Sequence, residues 1–319
     1  MARKVGFLHS GSKASFQKQF AAFVTRLHDF VEEDDVKIIE SWAGDEPAKT
    51  LEQHAKDLAD KGVAVMVAAG GPPSALAAKK ATEKNKVPVV FTSVANPVAL
   101  HLVASLDNPG GNMTGIAGLT SELDVTRLEI LRELLGGGAA KIGVLNNSNR
   151  PYLEDQFKEL YAAASKLNLT LVRKDVADLG QIEAAFKTLK GDKINAMLVT
   201  ADSLFNDHRK KVVQFASGIP TIYQWREFAE AGGLMSYGPN ILDAYEQVAD
   251  YVGHILDGEQ PSDLPVALPD NFEFVINMRV AHAEGVKIPA SLMLRAVFVR
   301  SRLRTRRAAA LAAGGDKAK

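Results

Sequence analysis

The amino-acid sequence predicts an α/β protein of two similar lobes, each a parallel sheet flanked by helices. Apolar runs of strand length alternate with amphipathic runs of helical spacing along most of the chain. The alternation runs through twice, which implies parallel sheets with right-handed crossovers in each half. At 319 residues the chain is long enough for two domains of ordinary size.

Val5–Leu8 reads as the first strand. From Ser15 to Val31, residues Phe16, Phe20, Phe23, Val24, Leu27 and Phe30 recur at helical spacing. Val36–Ile39 is a second strand, and Pro47 to Lys61 a helix with Leu51, Ala55 and Leu58 inward. Val63–Ala68 is apolar throughout, as parallel strands buried on both faces tend to be. Pro72-Pro73 opens a helix, because proline suits a first turn whose N–H groups have no helical partner. Val87–Phe91 is a fourth strand, Asn96-Pro97 opens a short helix, and Met113 to Gly118 is a fifth strand.

The second series pairs helix with strand in turn. Helix Leu123–Leu135 precedes strand Ile142–Leu145, and helix Tyr152–Leu167 precedes strand Thr170–Arg173. Helix Gln181–Leu189 leads to strand Ala196–Thr200, and helix Leu204–Ala216 leads to strand Pro220–Tyr223. A loop with Tyr223 and Trp225, a Gly-Gly turn and a strand ending at Ser236-Tyr237-Gly238 follow. Asn240 is placed to cap a helix whose apolar stripe is Ile241, Tyr245, Val248, Val252 and Ile255. Strand Phe272–Ile276 and a helix near Arg279–Glu284 complete the pattern, which fails beyond Pro289.

With 46% apolar and 24% charged residues the composition is that of an ordinary globular chain. The absence of cysteine excludes disulfides, thiolate metal sites and cysteine nucleophiles. Net charge is zero, but unevenly spread: from Arg295 onward there are eight Lys/Arg against one Asp. The preceding body, with 30 basic and 37 acidic residues, argues against nucleic acid as the main partner. The apolar run Val5–Leu8 is shorter than the roughly 7–15 residues of a signal-peptide core. The chain is therefore expected to be cytoplasmic, or to begin at a mature N-terminus.

The residues that follow the strands carry the functional signal. His9-Ser10-Gly11-Ser12 follows the first strand, Gly70-Gly71-Pro72-Pro73-Ser74 the third, and Thr92-Ser93 the fourth. In the second half Asn147 and Asn149, with Tyr152 just beyond, follow Leu145. Asp202 and Phe205 follow Thr200, and Tyr223, Trp225 and Tyr237 stand at the last two parallel strand ends. Open α/β sheets bind ligands at the carboxyl ends of their strands. Neutral hydrogen-bonding groups with several aromatics suit a small, partly apolar ligand.

Ser10, Ser12, Ser74 and Ser93, with amides at the following helix N-termini, could hold a carboxylate. Asp202 is the candidate partner for an ammonium, and Tyr223, Trp225, Phe205 or Tyr152 for a ring. Each residue also has a plain structural role open to it. Ser, Asn and Asp after a strand cap helices, Trp225 and Tyr237 could pack in a core, and Gly70-Gly71 could simply permit a tight turn. Phosphate-loop, dinucleotide and nucleophile-elbow motifs are absent, and the histidines show no metal spacing. No cofactor, metal or catalysis is therefore expected.

The segments VGFLHSGS, AAGGPPSALAAK, NPGGNMTG, IPTIYQWREFAEAGGLMSYGP and FEFVINMRVAHAEGVKIPASL resemble those of ABC-transporter substrate-binding proteins of the tryptophan-binding, type I periplasmic-binding-protein family. The similarity extends from about Lys4 to Leu292. It implies two Rossmann-like lobes joined by three crossovers, closing on ligand by hinge motion. Lobe one would be 1–118 plus 239–262, lobe two 119–238 plus 263–295, and 296–319 a basic, disordered tail.

The resemblance implies a periplasmic or extracytoplasmic monomer, its leader removed, that hands a small ligand to a membrane permease and does no chemistry. The ligand would be an aromatic amino acid or related aromatic acid. Matching positions are His9, Ser10, Ser12, Ser74, Ser93, Asn147, Asp202, Tyr223, Trp225 and Tyr237. The chain departs from the family in its arginine-rich tail and in lacking a leader or lipobox cysteine. The alternative on the same fold is a ligand-sensing domain for signalling or transcriptional regulation.

Overall fold

The computed structural model describes residues 2–46, 48–118, 120–150 and 153–299, with the backbone alone at 120 and 121. The first sheet has five parallel strands, ordered β2-β1-β3-β4-β5. Its elements run β1 (Arg3–His9), α1 (Lys13–Leu27), β2 (Val36–Trp42), α2 (Leu51–Asp60), β3 (Val65–Ala69), α3 (Pro72–Thr82), β4 (Val89–Ala95) and β5 (Met113–Gly118). Strand periodicity decides the packing. Val5, Phe7, Val65 and Val67 pack on one face with Phe16 and Phe23 of α1. Leu8, Met66 and Ala68 pack on the other with Ala55 and Leu58 of α2 and Ala75 and Ala78 of α3.

The chain then crosses to a second sheet through α4 (Thr120–Leu134), β6 (Ala140–Asn147), α5 (Leu153–Lys166), β7 (Leu169–Val176), α6 (Leu179–Gly191) and β8 (Ala196–Val199). It continues as α7 (Ser203–Asp207), α8 (Arg209–Ala216), β9 (Thr221–Tyr223), α9 (Arg226–Glu230) and β10 (Met235–Pro239). Next, α10 (Ile241–Leu256) returns to the first sheet, where Tyr245, Val248 and Val252 join the cluster of Val5 and Phe7. The Asn240 side chain caps it by accepting from the Leu242 N–H at 3.0 Å. A third crossing leads to β11 (Phe272–Ile276), α11 (Met278–Ala283), α12 (Ala290–Arg295) and β12 (Val297–Phe298). On the way Ala267 accepts from the Ala117 N–H and donates to the Gly115 carbonyl, stitching that crossing to β5. The second sheet is ordered β12-β11-β10-β9-β8-β6-β7.

The structure departs from the sequence reading in several places. β11 runs antiparallel to β10, so the second sheet is mixed. No helix forms at Asn96-Pro97: Asn96 sits at φ 46° and its side chain closes a single turn on the Ala99 N–H. The helix expected from Pro47 begins at Leu51, where Thr50 and Gln53 form a reciprocal capping box; Pro47 lies outside the described residues. His208 (φ −101°, ψ 16°) breaks the helix expected over Leu204–Ala216 into α7 and α8. Val297 and Phe298, expected in a disordered tail from 296, instead pair with Val275 and Ile276; the rest of that expected tail, 300–319, lies outside the described residues. Among the described residues no helix is long and apolar enough to cross a membrane.

Candidate functional site

Residues at the carboxyl ends of strands in both sheets line a cavity of about 880 Å³, its open mouth included. Its lining is mostly apolar, with Phe16, Ile116, Leu123, Trp225, Ile241 and Tyr245 as the larger walls. That character suits a small organic ligand.

On the first-sheet side, Gly70 and Gly71 both take φ 90°, which glycine adopts without steric cost. The chain thereby turns sharply out of β3, and Gly71 and Pro72 reach the cavity wall. Ser93 is held at φ 58°, where the β4–β5 register shifts between Phe91 and Val94. A serine in that region is strained, and the irregularity turns it to the cavity. A kink in α1 at Phe16 (φ −118°, ψ 17°) brings that ring to the floor.

Behind the wall His9 is fully buried. The Gly11 N–H donates to His9 Nδ1 at 2.8 Å, so Nδ1 is unprotonated and Nε2–H donates to the Tyr245 hydroxyl at 2.8 Å. The Tyr245 O–H remains free to donate to a ligand. Burial lowers the His9 pKa to about 3. Between pH 6.5 and about 3 the unfolded chain binds a proton at this position that the folded chain refuses. Stability should therefore fall as pH drops through that window, by up to roughly 1.4 kcal/mol per pH unit. In urea unfolding from pH 7 to 4, His9→Gln is expected to flatten this slope; a slope equal to that of the original chain would remove His9 as its source.

On the second-sheet side, Asp202 caps α7 by accepting from the Leu204 N–H at 2.9 Å. The same Oδ1 accepts from Asn147 Nδ2 at 2.9 Å, which leaves Oδ2 without a partner among the described residues. Trp225 lies at the N-terminus of α9 and packs against clusters of both sheets, its ring edge-on to Phe16 at 6.4 Å. Arg127 of α4 lines the cavity although it is 1% exposed, and Arg150, after β6, lines it at 9%. Arg127 pairs through Nη1 with the buried Asp124 and donates from Nε to the Tyr237 carbonyl at 2.7 Å. Burial pushes the Asp124 carboxyl up and the Arg127 guanidinium down, and their mutual attraction opposes both shifts.

Of the residues picked from the sequence, Gly71, Ser93, Asp202 and Trp225 line the cavity. His9 and Asn147 stand one layer behind. Phe205 and Tyr223 do not face it: both are buried in the core under α6 and α8, Tyr223 stacked on Phe228 at 4.8 Å. Tyr237 stacks on Phe272 instead. Ser74 and Thr92 are fully buried outside the lining, and the Asn149 N–H closes a turn on Asn147 Oδ1. Gly11 is taken up with His9, and Tyr152 lies outside the described residues. Ser10 and Ser12 bridge the two halves. Ser10 Oγ meets Ser203 Oγ at 3.1 Å, and the Ser12 N–H and hydroxyl donate to Asp207 Oδ1 at 3.1 and 2.9 Å. Sequence reasoning missed Arg127, Asp124, Arg150 and Phe16. The available signal was an arginine inside the apolar stripe Leu123, Leu131 and Leu134 of α4, three residues after an aspartate.

The family model for ABC transporter substrate binding proteins matches residues 12–300. A tyrosine-binding protein of Clostridioides difficile (strain R20291) is 29% identical over 279 residues, which span 86% of this chain and 79% of that protein. The crystal structure of an ABC domain in complex with L-Trp from Streptococcus pneumonia superposes with a TM-score of 0.83 at 25% identity, covering 94% of this chain and all of that one. A ligand-free, open substrate-binding protein with adhesive properties from Clostridium difficile superposes at 0.66 with 26% identity, covering 94% of this chain and 99% of that one.

Proposed function

The chain belongs to the ABC transporter substrate binding protein family, and on that premise we propose that it captures an aromatic amino acid, or a related aromatic acid, for a membrane permease. The observation that carries the ligand class is the cavity: Phe16, Trp225 and Tyr245 supply aromatic surface, and Asp202 presents an unpartnered carboxylate oxygen beside them. The relatives named for tyrosine and L-Trp agree with it.

Capture works by closure. The two sheets with their helices act as lobes, 1–118 plus 239–262 and 119–238 plus 263–295, hinged where the chain crosses between them. At nearly equal identity the arrangement matches the L-Trp complex better than the open, ligand-free relative, which supports reading it as the closed form. Ser12–Asp207, Ser10–Ser203 and Gln19–Glu227 are the bonds that closure makes. The permease reads the closed form outside the cytoplasm, and the receptor does no chemistry.

Native mass spectrometry of the purified protein, followed by identification of what it releases on denaturation, is the direct test. A released aromatic amino acid or acid supports the reading, and a sugar or purine overturns it. The ammonium role has its own test. Asp202→Asn keeps the helix cap but removes the charge, and should weaken L-tyrosine or L-tryptophan binding roughly 10- to 150-fold, the worth of a charged hydrogen bond. Calorimetry should show the des-amino acids unaffected; an equal loss for both would remove Asp202 from that role.

A further inference from the structure

Two buried arginines, Arg127 and Arg150, line the cavity. Asp124 is the single carboxylate paired with Arg127, and Arg127 Nη2 has no hydrogen-bond partner among the described residues. Arg150 is nine-tenths buried. Among the described residues its guanidinium makes no hydrogen bond and has no carboxylate within 4 Å. It lines the aromatic cavity and the adjoining outer chamber alike. Glu122, Asp155 and Glu159 also line that outer chamber, but they are exposed, where water and salt screen them. A charge left unpaired in a cavity wall is destabilising. The cavity thus has an arginine without a carboxylate partner on one side and Asp202, with an open carboxylate oxygen, on the other.

The backbone links these two charged residues. The Arg150 N–H donates to the Asn147 carbonyl at 3.3 Å, and the Asn147 side chain donates to Asp202 at 2.9 Å. One turn thus ties the unpaired cation to the carboxylate proposed for the ammonium. The two charges face one cavity without meeting. That is the charge pattern of a zwitterion in negative.

We propose that Arg150 receives the ligand's carboxylate, so that this receptor requires an α-amino acid and rejects the corresponding amine. The inference rests on the proposed cavity and names its specificity residue. It differs from the expectation that serines and helix N-termini hold the carboxylate, although Ser93, one of those serines, lines the cavity. Pro72 and Pro73 remove two N–H donors from the start of α3, and Ser10 and Ser12 are engaged across the cleft. Arginine is the better receptor in any case, because its planar fork binds carboxylate through two parallel hydrogen bonds.

The test is calorimetric titration of the purified full chain and of Arg150→Gln and Arg150→Lys. The probes are L-tyrosine, L-tryptophan and L-leucine, with tyramine, tryptamine and isoamylamine as their decarboxylated counterparts. The original chain is expected to prefer an amino acid over its amine by about 100-fold or more. Arg150→Gln should abolish that preference by lowering amino-acid affinity without weakening amine binding, since it removes a cation from the site of a cationic probe, and Arg150→Lys should restore part of the preference. The melting temperature of unliganded Arg150→Gln should be no lower than that of the original chain, because the replacement removes an unpaired buried charge. Retention of amino-acid affinity within threefold in Arg150→Gln overturns the proposal, as does equal binding of amine and amino acid by the original chain. Arg150-dependent binding of L-leucine alone would overturn the aromatic ligand class and leave the carboxylate role standing. Failure of every probe to bind the original chain would overturn both.

Discussion

Replacing Asp124 by alanine is expected to destabilise the folded chain by about 3–5 kcal/mol, the usual consequence of leaving a buried charge without its partner. Arg127 is 1% exposed and Asp124 7%, so neither can recover solvation once the other is gone. The guanidinium is also held by the Tyr237 carbonyl, which ties α4 to β10, and cannot swing out without breaking that bond. Urea unfolding gives the measurement. A control separates the charge from the packing: with Asp124→Leu and Arg127→Met made together, the pair becomes apolar and most of the loss should vanish. A single-replacement cost below about 1 kcal/mol would mean that Arg127 finds water or another partner, and the charge pattern of the cavity would have to be redrawn.

The fold was legible because parallel strands buried on both faces leave apolar runs, and the helices between them leave a helical stripe. Val65–Ala69 and the α10 stripe from Ile241 to Ile255 are the clearest cases. Helix ends were less legible. The break at His208 has no sequence mark, since histidine is tolerated in helices, and α9 is too short at five residues to show a period. The antiparallel direction of β11 is invisible too, because a strand reads the same either way.

Missing α9 also distorted the reading of the site. Without it, Tyr223 and Trp225 look like equivalent members of one loop. In the structure Tyr223 is still part of β9 and turns into the core, whereas Trp225 begins a new helix and faces the cavity. Asp202 was legible in both of its parts, cap and open carboxylate, because an acid after a strand serves both. Arg127 was hidden among the ordinary charges of an amphipathic helix. Arg150 sits in a loop, where an arginine is normally solvated and only burial makes it informative.

Gly115→Ala should be the most damaging change available in the first sheet, for reasons that lie in the backbone. Gly115 has φ 148°, a conformation side-chain-bearing residues rarely adopt, and a Cβ there would lie 2.0 Å from the Phe91 carbonyl oxygen and 2.6 Å from the Phe91 nitrogen. Both are main-chain atoms of the paired strand, so no rotamer change relieves the clash. Strain of about 1–3 kcal/mol adds to an overpacking cost of similar size, and a loss of roughly 3 kcal/mol or more is expected in urea unfolding. Gly111→Ala is the contrast: it has no atom within 4 Å of the added Cβ and should stay within about 0.5 kcal/mol. The position has functional consequences as well. The Gly115 carbonyl accepts from the Ala267 N–H on the third crossing, and Ile116 and Gly118 just beyond it line the cavity. Any shift of β5 that accommodates the methyl group must therefore move the cavity wall and the third crossing together. Ligand affinity should fall even under conditions where the variant remains folded, and unchanged affinity in a folded Gly115→Ala chain would show that β5 does not couple the wall to the crossing.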